Sequence, residues 1–485
     1  MERGNQNAPL QAPLIQHSGH DGVMLDNDTE QNNKRVIERR EIFEEIKLQF
    51  WLAVPLVSVG LFNFCIQLIS VMFVGHLGEL ALPGASMATS FCSVTGFSLL
   101  IGMASALDTL CGQSYGAKQH HMLGVHTQGA MIVLMIVSIP LAIIWANTRS
   151  ILVFLGQDPE ISAEAGRYSQ LLVPSLFAYG LLMCLNRFLQ SQNIVFPMMF
   201  ISGVTTLLHL PVCWMMVYKS GLGSRGAAIA NSISYWINVF ILSLYVKCSP
   251  KCAKTWTGFS KAALHNVPSF TRLAIPSAIM SDTLMCVQLL SPITVSSLEN
   301  WSFEMMVLLS GLLPNPKLET SVLSICLNTG TAAWMIPYGL GAAASTRVSN
   351  ELGAGRPWIA RLAVCVVSVM AIFEGVVIGT VMILIRNIWG HAYSDEQQVV
   401  KYVSIMMPLL ALSSFVDSLL GVLSGTCRGC GWQKIGKGLW MGIICGLVVQ
   451  VLCLLIITLR TDWAEEAKNA RARVYDSVIP EDIVS

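Results

Sequence analysis

Charged side chains are scarce in this 485-residue chain, where Asp, Glu, Lys and Arg together make up only 12%. A soluble domain carries about 25% charged residues, so the composition excludes an ordinary soluble protein. The charges also nearly cancel, with a formal net charge of +1. A protein that binds nucleic acid usually has a basic excess, and the near-neutral balance therefore argues against nucleic acid as a partner.

The chain also lacks the motifs of several common activities. GQSYGAK (112–118) and SNELGAG (349–355) do not match the P-loop pattern G-x-x-x-x-G-K-[ST], so no nucleotide site is predicted. The 14 cysteines mostly stand singly in apolar runs, and the lone C-x-x-C of Cys427 and Cys430 has no matching pair or nearby His. Neither a metal site nor a disulfide framework follows from that pattern. Because no nucleophile–base arrangement is visible either, the sequence predicts a protein that is not an enzyme and needs no cofactor.

Long apolar runs are the abundant feature, in a chain that is 53% hydrophobic with a mean hydropathy of +0.59. Runs of roughly 20 residues or more match the thickness of a bilayer's hydrocarbon core. They predict an all-α polytopic membrane protein. The predicted spans are 48–74, 81–107, 122–146, 168–190, 195–218 and 226–247 in the first half, and 274–312, 320–344, 359–386, 402–425 and 437–459 in the second.

Polar segments flank and separate the two sets of spans. Residues 1–47 are rich in Pro, Gln, Asn and mixed charge, which predicts a disordered cytosolic tail. The chain does not open on an apolar segment, so no cleavable signal peptide is expected. Residues 248–273 read as a basic cytosolic loop and 460–485 as a charged tail. With the N-terminus inside, Lys and Arg concentrate on the cytosolic side, in agreement with the positive-inside rule.

An internal repeat divides the chain. The stretch GMASALDTLCGQSYGAK (102–118) returns as GLGAAASTRVSNELGAG (339–355), at an offset of 237 residues. Each copy is predicted to be a helix end of small residues that runs into a polar loop ending in Gly and Ala. The first half has an even number of spans, so the two halves enter the membrane in the same orientation. Such parallel repeats predict two pseudo-symmetric helical lobes, 48–247 and 274–459, with the substrate path between them.

The offset between the halves changes at two places. Pro55 and Pro276 differ by 221 residues, less than the later 237, which indicates an insertion near 281–297. Gly226 and Gly438 differ by only 212, so one helix of the second lobe is predicted to be missing near 436–438. A continuous helix over 274–312 would be about 60 Å long and must break. The second lobe is therefore expected to hold about five spans, although crossings at 274–291 and 295–313 would restore twelve in total.

Several motifs resemble the multidrug and toxic compound extrusion (MATE) family, and specifically its plant DETOXIFICATION-type branch. The resemblance covers about residues 45–470 and rests on these motifs: VMFVGHLGELAL (71–82), GMASALDTLCGQSYGAK (102–118), GQDPEISAEAG (156–166), WSFEMMVLLSGLLPNPKLETSVLSICLNT (301–329), RVSNELGAG (347–355) and VLSGTCRGCGWQKIG (422–436). It implies a secondary transporter with two six-helix lobes. It also implies export of organic cations, xenobiotics or plant metabolites in exchange for a cation, usually a proton, across the vacuolar or plasma membrane.

The resemblance assigns proton coupling to carboxyl groups of the second lobe. Asp417, in LLALSSFVDSLLGVL, occupies the place of the acidic residue in the family's tenth helix, and Glu299 that of the seventh-helix acid. Glu304 lies about 140° around a helix from Glu299, so these two do not share a face. Ionisable groups inside spans are costly and are therefore functional candidates. The alternatives are an Asp417 satisfied by Ser413 or Ser414, and a structural hydrogen bond for Glu304.

Other polar residues of the spans are candidates for the cavity. Asn63 and Gln67 lie one turn apart in the first span, which holds no carboxylate although some bacterial and archaeal members of the family have one there. Hydrogen bonding between helices is the alternative for this pair. Tyr338 offers an aromatic face to a cation, or belongs to an interfacial belt. Arg187 is a cavity candidate, with packing or interface anchoring as the alternative. The same two interpretations apply to Asp108, Gln190 and Glu374. Trp334, like Tyr338, is interpreted as an aromatic face for a cation or as part of an interfacial belt.

Two functions remain open at this stage. The family features favour a proton-coupled exporter of small solutes, in which Glu299 and Asp417 take up protons from outside and release substrate. The missing helix near 436–438 favours a transport-inactive, splice-type variant of such an exporter. A membrane enzyme finds no support in the sequence.

Overall fold

The computed structural model describes residues 39–75, 77, 81–154, 156–281, 316–392 and 397–431. Every regular element in these ranges is a helix, which confirms the all-α prediction. The first half forms six long helices, each of them long and apolar enough to cross a membrane, as the sequence predicts. They are α1 (Arg39–Gly75), α2 (Ala81–Gly116), α3 (His120–Ala146), α4 (Pro159–Ser191), α5 (Phe196–Lys219) and α6 (Ser224–Cys248).

The second half continues with four described helices, α7 (Ala262–Ser281), α8 (Pro316–Gly353), α9 (Pro357–Trp389) and α10 (Gln397–Cys430). Of these, α9 and α10 also have the length and hydropathy of membrane spans. The remainder of the predicted span 274–312, the insertion near 281–297, the predicted missing helix near 436–438, the span 437–459 and the tail 460–485 lie outside the described residues.

The structure corrects the boundary of the N-terminal tail. Helix α1 begins at Arg39, so the prediction that residues 39–47 belong to a disordered tail is wrong. Glu45 and Gln49 are buried on this extension, and the Gln49 side-chain amide donates to Glu45 Oε1 at 3.0 Å. The polar residues that suggested a tail therefore belong to a helix that continues beyond the apolar run, and some of them make buried contacts.

The basic loop predicted at 248–273 is also shorter than expected, because α7 begins at Ala262. The remaining loop is fixed to α3 by the Gln128 side chain, which donates to the Gly258 carbonyl at 2.8 Å and accepts from the Ser260 N–H at 2.9 Å. These two bonds hold the chain in position to start α7 a few residues further on, where the side chain of Asn266 contacts His126 of α3.

The two copies of the repeat end in the same way. Helix α2 continues through Gly116 and α8 through Gly353, so the prediction of polar loops at GQSYGAK and SNELGAG is wrong. Each helix then stops at a residue with positive φ, Lys118 at 62° and Gly355 at 70°, which are 237 positions apart. A left-handed residue just past the last turn is a common helix terminator. The repeat in the amino-acid sequence therefore corresponds to a repeat in backbone geometry at the two helix ends.

The N-lobe (α1–α6) has a large buried core. Its centre is aromatic: the Phe97 ring lies 5.2 Å from Trp145 and 4.6 Å from Tyr179, and Tyr179 lies 5.5 Å from Tyr235, measured between ring centroids. A second, smaller apolar cluster ties α8, α9 and α10 together. It comprises Val322, Ile325, Cys326, Met382, Val399, Val403, Met407 and Ala411.

Candidate functional site

The two repeat copies contact each other along a line that we call the α2–α8 seam, formed by residues 112–116 and 349–353. A Cβ atom added to Gly116 would lie 2.0 Å from the Asn350 carbonyl oxygen, and one added to Gly353 would lie 2.1 Å from the Gln113 carbonyl oxygen. Gln113 and Asn350 are themselves 237 positions apart, so the contact is reciprocal. The backbones of the two lobes touch here because glycine leaves room for it.

Three buried charges lie next to the seam and join the lobes; we call them the interlobe charge cluster. Asp108 of α2 forms an ion pair with each of two arginines: Arg187 Nη1 of α4 lies 3.3 Å from Asp108 Oδ1, and Arg428 Nε of α10 lies 3.4 Å from Asp108 Oδ2. The side chains of all three residues are at most 10% exposed. One carboxylate between two guanidiniums leaves one positive charge in excess, and buried ions persist only when they are paired.

Two of the predicted cavity residues meet at this cluster. Arg187 donates from Nη2 to the Tyr338 hydroxyl at 3.1 Å and from Nη1 to Gln190 Oε1 at 3.1 Å. The Gln190 amide in turn donates to the Thr346 hydroxyl of α8 at 2.9 Å. The structure therefore brings Arg187, Gln190 and Tyr338 together with Asp108 across the lobe boundary, whereas their role in binding substrate stays a prediction.

A second ionic network joins the start of α1 to the end of α8. Arg347 donates to both carboxylate oxygens of Glu45, at 3.1 and 2.9 Å, and to Glu351 at 2.7 Å. Arg356 lies 2.8 Å from the other oxygen of Glu351. Sequence reasoning missed this network because Glu45 was assigned to the tail. The signal that could have revealed the network was a helical pattern of residues that extends from the first apolar span into the polar segment before it.

The charged candidates of the second lobe are only partly described. Asp417 is half-buried in the middle of α10, and Ser413 donates to its Oδ2 at 3.4 Å. On the adjacent residue, the Ser418 hydroxyl donates to Glu374 Oε2 of α9 at 2.5 Å, so two carboxyl groups occupy this region of the α9–α10 pair. Glu299 and Glu304 lie outside the described residues.

The predicted N-lobe pair does not join the charge cluster. Gln67 lies beside the Tyr235 hydroxyl of α6, and both side chains are inside the N-lobe. Asn63 is half-buried, and its Oδ1 is a buried oxygen with no hydrogen-bond partner among the described residues. Both side chains are half-buried, and the role of this pair as cavity residues stays a prediction.

A hydrogen-bonded group inside the N-lobe was not found from the sequence. His209 of α5 is fully buried, with Nε2 3.0 Å from the Ser70 hydroxyl of α1 and Nδ1 2.8 Å from the Ser234 hydroxyl of α6. The Ser70 hydroxyl also donates to Asn231 Oδ1 at 3.1 Å. A single histidine in an apolar run gives little warning of such a group. The serines at 70 and 234, each inside its own span, were the available signal.

The seam and both ionic networks lie at the same end of the bundle, the one that the Lys and Arg distribution assigns to the cytosol. Contacts between the lobes continue to about mid-membrane, where Gly339 of α8 approaches Val57 of α1. These contacts join the two lobes on the predicted cytosolic side, and separating the lobes there requires the buried ion pairs to separate.

Two lobes of apolar helices that meet around buried charges define a multi-pass membrane transporter, and comparison with known proteins identifies the family. The MatE family model matches residues 55–215 and 292–456, which together cover more than half of the chain. The chain therefore belongs to the MatE family, whose members are transporters and not enzymes. The second match begins at residue 292, within the predicted insertion at 281–297.

Plant relatives support the same assignment over nearly the full length. The chain is 59% identical over 467 residues to Protein DETOXIFICATION 16 of Arabidopsis thaliana, covering 91% of this chain and 93% of that protein. It is 54% identical to Protein DETOXIFICATION 15 of the same plant, covering 91% and 93%. It is therefore similar to these proteins throughout both lobes.

Solved structures show the same fold. The crystal structure of the eukaryotic MATE transporter AtDTX14 superposes with a TM-score of 0.76 at 42% identity, covering 90% of this chain and all of that one. The Vibrio cholerae MATE transporter VcmN in its bent form superposes with a TM-score of 0.67 at 16% identity, covering 82% and 86%. At that identity the likeness concerns the fold alone.

Proposed function

We propose that this chain exports small organic cations, xenobiotics or plant metabolites in exchange for protons, with Asp417 as a proton-binding group. The observation that carries the proposal is the position of this carboxyl, half-buried in the middle of a membrane helix and bonded to Ser413. A carboxyl that moves between a wet and a drier environment changes its proton affinity, which is what coupling requires. The names of the DETOXIFICATION relatives support the substrate class.

The exchange then runs in two half-cycles. With the cytosolic side closed by the seam and the charge cluster, protons from outside neutralise Asp417 and Glu299, and the substrate leaves. Substrate that enters from the cytosol after the lobes separate displaces the protons inward. A ligand drives such a change only if it binds the two states with different affinity, and proton and substrate must therefore favour opposite states.

The first test is pH-gradient-driven uptake of a fluorescent organic cation into vesicles that contain the full chain. Asp417→Asn removes the titratable proton and keeps the shape of the side chain, so uptake should fall to background at unchanged protein abundance. Glu160→Gln, an equally conservative change at an exposed residue in the first turn of α4 and before the predicted span 168–190, serves as the matched control and should transport normally. Normal uptake by the Asp417→Asn protein would contradict the proposal.

The alternative is a transport-inactive, splice-type variant, which the predicted missing helix near 436–438 supports. The same assay separates the two, when this chain is compared with a version that has a helix restored between Gly436 and Lys437. Uptake by both proteins supports the exporter, whereas uptake by the restored protein alone supports the variant. The plant branch suggests that the protein resides in the vacuolar or the plasma membrane. Microscopy of a fluorescent fusion protein tells which of the two membranes contains it.

A further inference from the structure

The N-lobe holds a buried basic group that the mechanism above does not use. His209 has no exposed surface, and its two ring nitrogens are bonded to hydroxyl groups on two different helices, α1 and α6. Its position on α5 therefore places it at the meeting point of three helices of one lobe.

The partners of this ring suit both of its protonation states. Neutral imidazole has one donor and one acceptor nitrogen, whereas imidazolium has two donors. A serine hydroxyl can donate or accept, so Ser70 and Ser234 can each rotate to accept from a protonated ring. The Ser70 hydroxyl proton then has its own acceptor in Asn231 Oδ1, 3.1 Å away. Proton binding therefore leaves the ring's two hydrogen bonds intact.

Among the described residues, no opposite charge compensates the ring. In the described part of the chain, no carboxylate or guanidinium contacts His209. The titratable neighbours of the group are Cys213 on α5 itself, 4.0 Å from the Ser70 hydroxyl, Tyr168 of α4 beside Asn231, and Tyr235 of α6 beside Gln67. An uncompensated charge in a dry interior is costly. Imidazolium at this position is therefore favoured only in a state of the lobe that admits water.

Polar side chains continue from the ring towards mid-membrane. Asn63, Gln67 and Ser70 follow one another at four- and three-residue spacing and share one face of α1. On α6, Asn238 lies one turn beyond Ser234, is 1% exposed, and has no hydrogen-bond partner for its amide among the described residues. Polar side chains therefore follow His209 along both α1 and α6.

From this geometry we propose that His209 is a second proton-binding group of the exporter, located in the N-lobe and independent of the carboxyls of the C-lobe. The proposal rests on the proton exchange proposed above. The step is the transfer of one proton from the outside solution to a ring nitrogen of neutral His209, and its later release to the cytosol. No covalent bond other than N–H forms or breaks. Histidine is suited to the task because its ordinary pKa lies close to physiological pH.

The test is the number of protons exchanged for each substrate molecule. In proteoliposomes with a fixed gradient of a fluorescent organic cation, the opposing pH gradient that gives zero net flux reports this ratio. The variant His209→Asn keeps an amide for hydrogen bonding but cannot titrate, and its ratio should be lower than wild type by one proton. The matched control is His126→Asn, at a buried histidine of α3 outside this group, and its ratio should equal that of wild type.

Each outcome has a separate meaning. An unchanged ratio in His209→Asn, with proton coupling lost in Asp417→Asn, would overturn this proposal and leave the exporter function standing. A wild-type protein whose flux does not respond to the pH gradient would overturn the exporter function itself.

A second variant covers the case in which His209→Asn does not fold. Ser234→Ala keeps the imidazole and removes the hydroxyl at Nδ1. It should retain the wild-type ratio and shift the external pH of half-maximal exchange. A pH dependence identical to wild type would equally overturn the proposal.

Discussion

The interiors of the two lobes differ in chemistry although their backbones repeat. In the N-lobe, the buried polar side chains around His209 are neutral hydrogen-bonding groups from α1, α5 and α6. In the described part of the C-lobe, carboxyl groups at Asp417 and Glu374 lie half-buried on α10 and α9. A proton removes charge from a carboxylate and adds charge to an imidazole. Each lobe would therefore gain one unit of positive charge with its proton, but the C-lobe carboxyl would become neutral whereas the N-lobe imidazole would become charged.

The difference teaches where the repeat is constrained. At the seam the two copies match down to the residue that ends each helix, because each backbone is the packing surface of the other. Inside the described parts of the lobes, the buried polar side chains differ. Symmetry at the boundary and asymmetry in the interior can be tested separately, as follows.

The largest effect is expected from Asp108→Asn, which removes the charge shared by the two lobes. Two buried guanidiniums would then lack their carboxylate, and breaking a buried ion pair in this way costs about 3–5 kcal/mol. The melting temperature of the purified protein should fall steeply. The double variant Asp108→Asn with Arg428→Gln should recover part of the loss, since it removes one uncompensated charge. A melting temperature equal to wild type would show that the cluster does not hold the lobes together.

The next largest effect tests the symmetry of the seam. Gly116→Ala and Gly353→Ala each place a methyl group about 2 Å from a backbone oxygen of the other lobe, and overpacking of this kind costs about 1–3 kcal/mol. Thermal unfolding should show similar losses for both. Gly330→Ala in the outer half of α8, where an added Cβ meets nothing within 4 Å, should be neutral or slightly stabilising. A loss confined to one of the pair would break the symmetry.

A smaller effect is expected from Tyr338→Phe. The change deletes the hydroxyl that accepts from the charged Arg187 Nη2 and should cost about 1.5 kcal/mol, measured by thermal unfolding. The aromatic face remains, so KM for a cationic substrate should stay close to wild type. If the ring face binds substrate, Tyr338→Ala should raise KM in addition to lowering the stability. Equal KM values in all three proteins would assign Tyr338 to the lobe boundary alone.

The smallest effect concerns the C-lobe carboxyl itself. Ser413 bonds Asp417 at 3.4 Å, which is long for a hydrogen bond, so Ser413→Ala should change proton-driven uptake by less than about twofold. The measurement is the initial uptake rate across a series of external pH values. A loss as complete as that in Asp417→Asn would mean that the serine is part of the proton site.

Much of this architecture could be predicted from the letters, because length and hydropathy determine which segments cross a bilayer. All six spans of the N-lobe follow from that rule, and the offset of 237 residues identified the two stretches that meet. What the pattern could not tell is why the glycines are there. Gly116 and Gly353 resemble turn signals, but they serve the approach of two backbones, and that depends on a partner distant in sequence.

The candidate site was predicted residue by residue but not as a set. Arg187, Gln190 and Asp108 were singled out as polar residues near span ends and Tyr338 as an aromatic face. Their meeting with Arg428 depends on tertiary packing. Glu45 and His209 were missed for opposite reasons. Glu45 lies in a polar segment whose composition resembles a disordered tail, so one more charged residue there did not stand out. His209 is a single residue in an apolar run, with no neighbouring polar residues to indicate a site.

The seam has a mechanical consequence for the transport cycle. Where two helices touch through backbone and small side chains, no long side chain interlocks with its neighbour, so the surfaces can part or slide without rotamer changes. Little apolar area is exposed when they do. The resistance to opening is then set by the ion pairs beside the seam, because these pairs hold the two lobes together where the packing surfaces alone would let them separate.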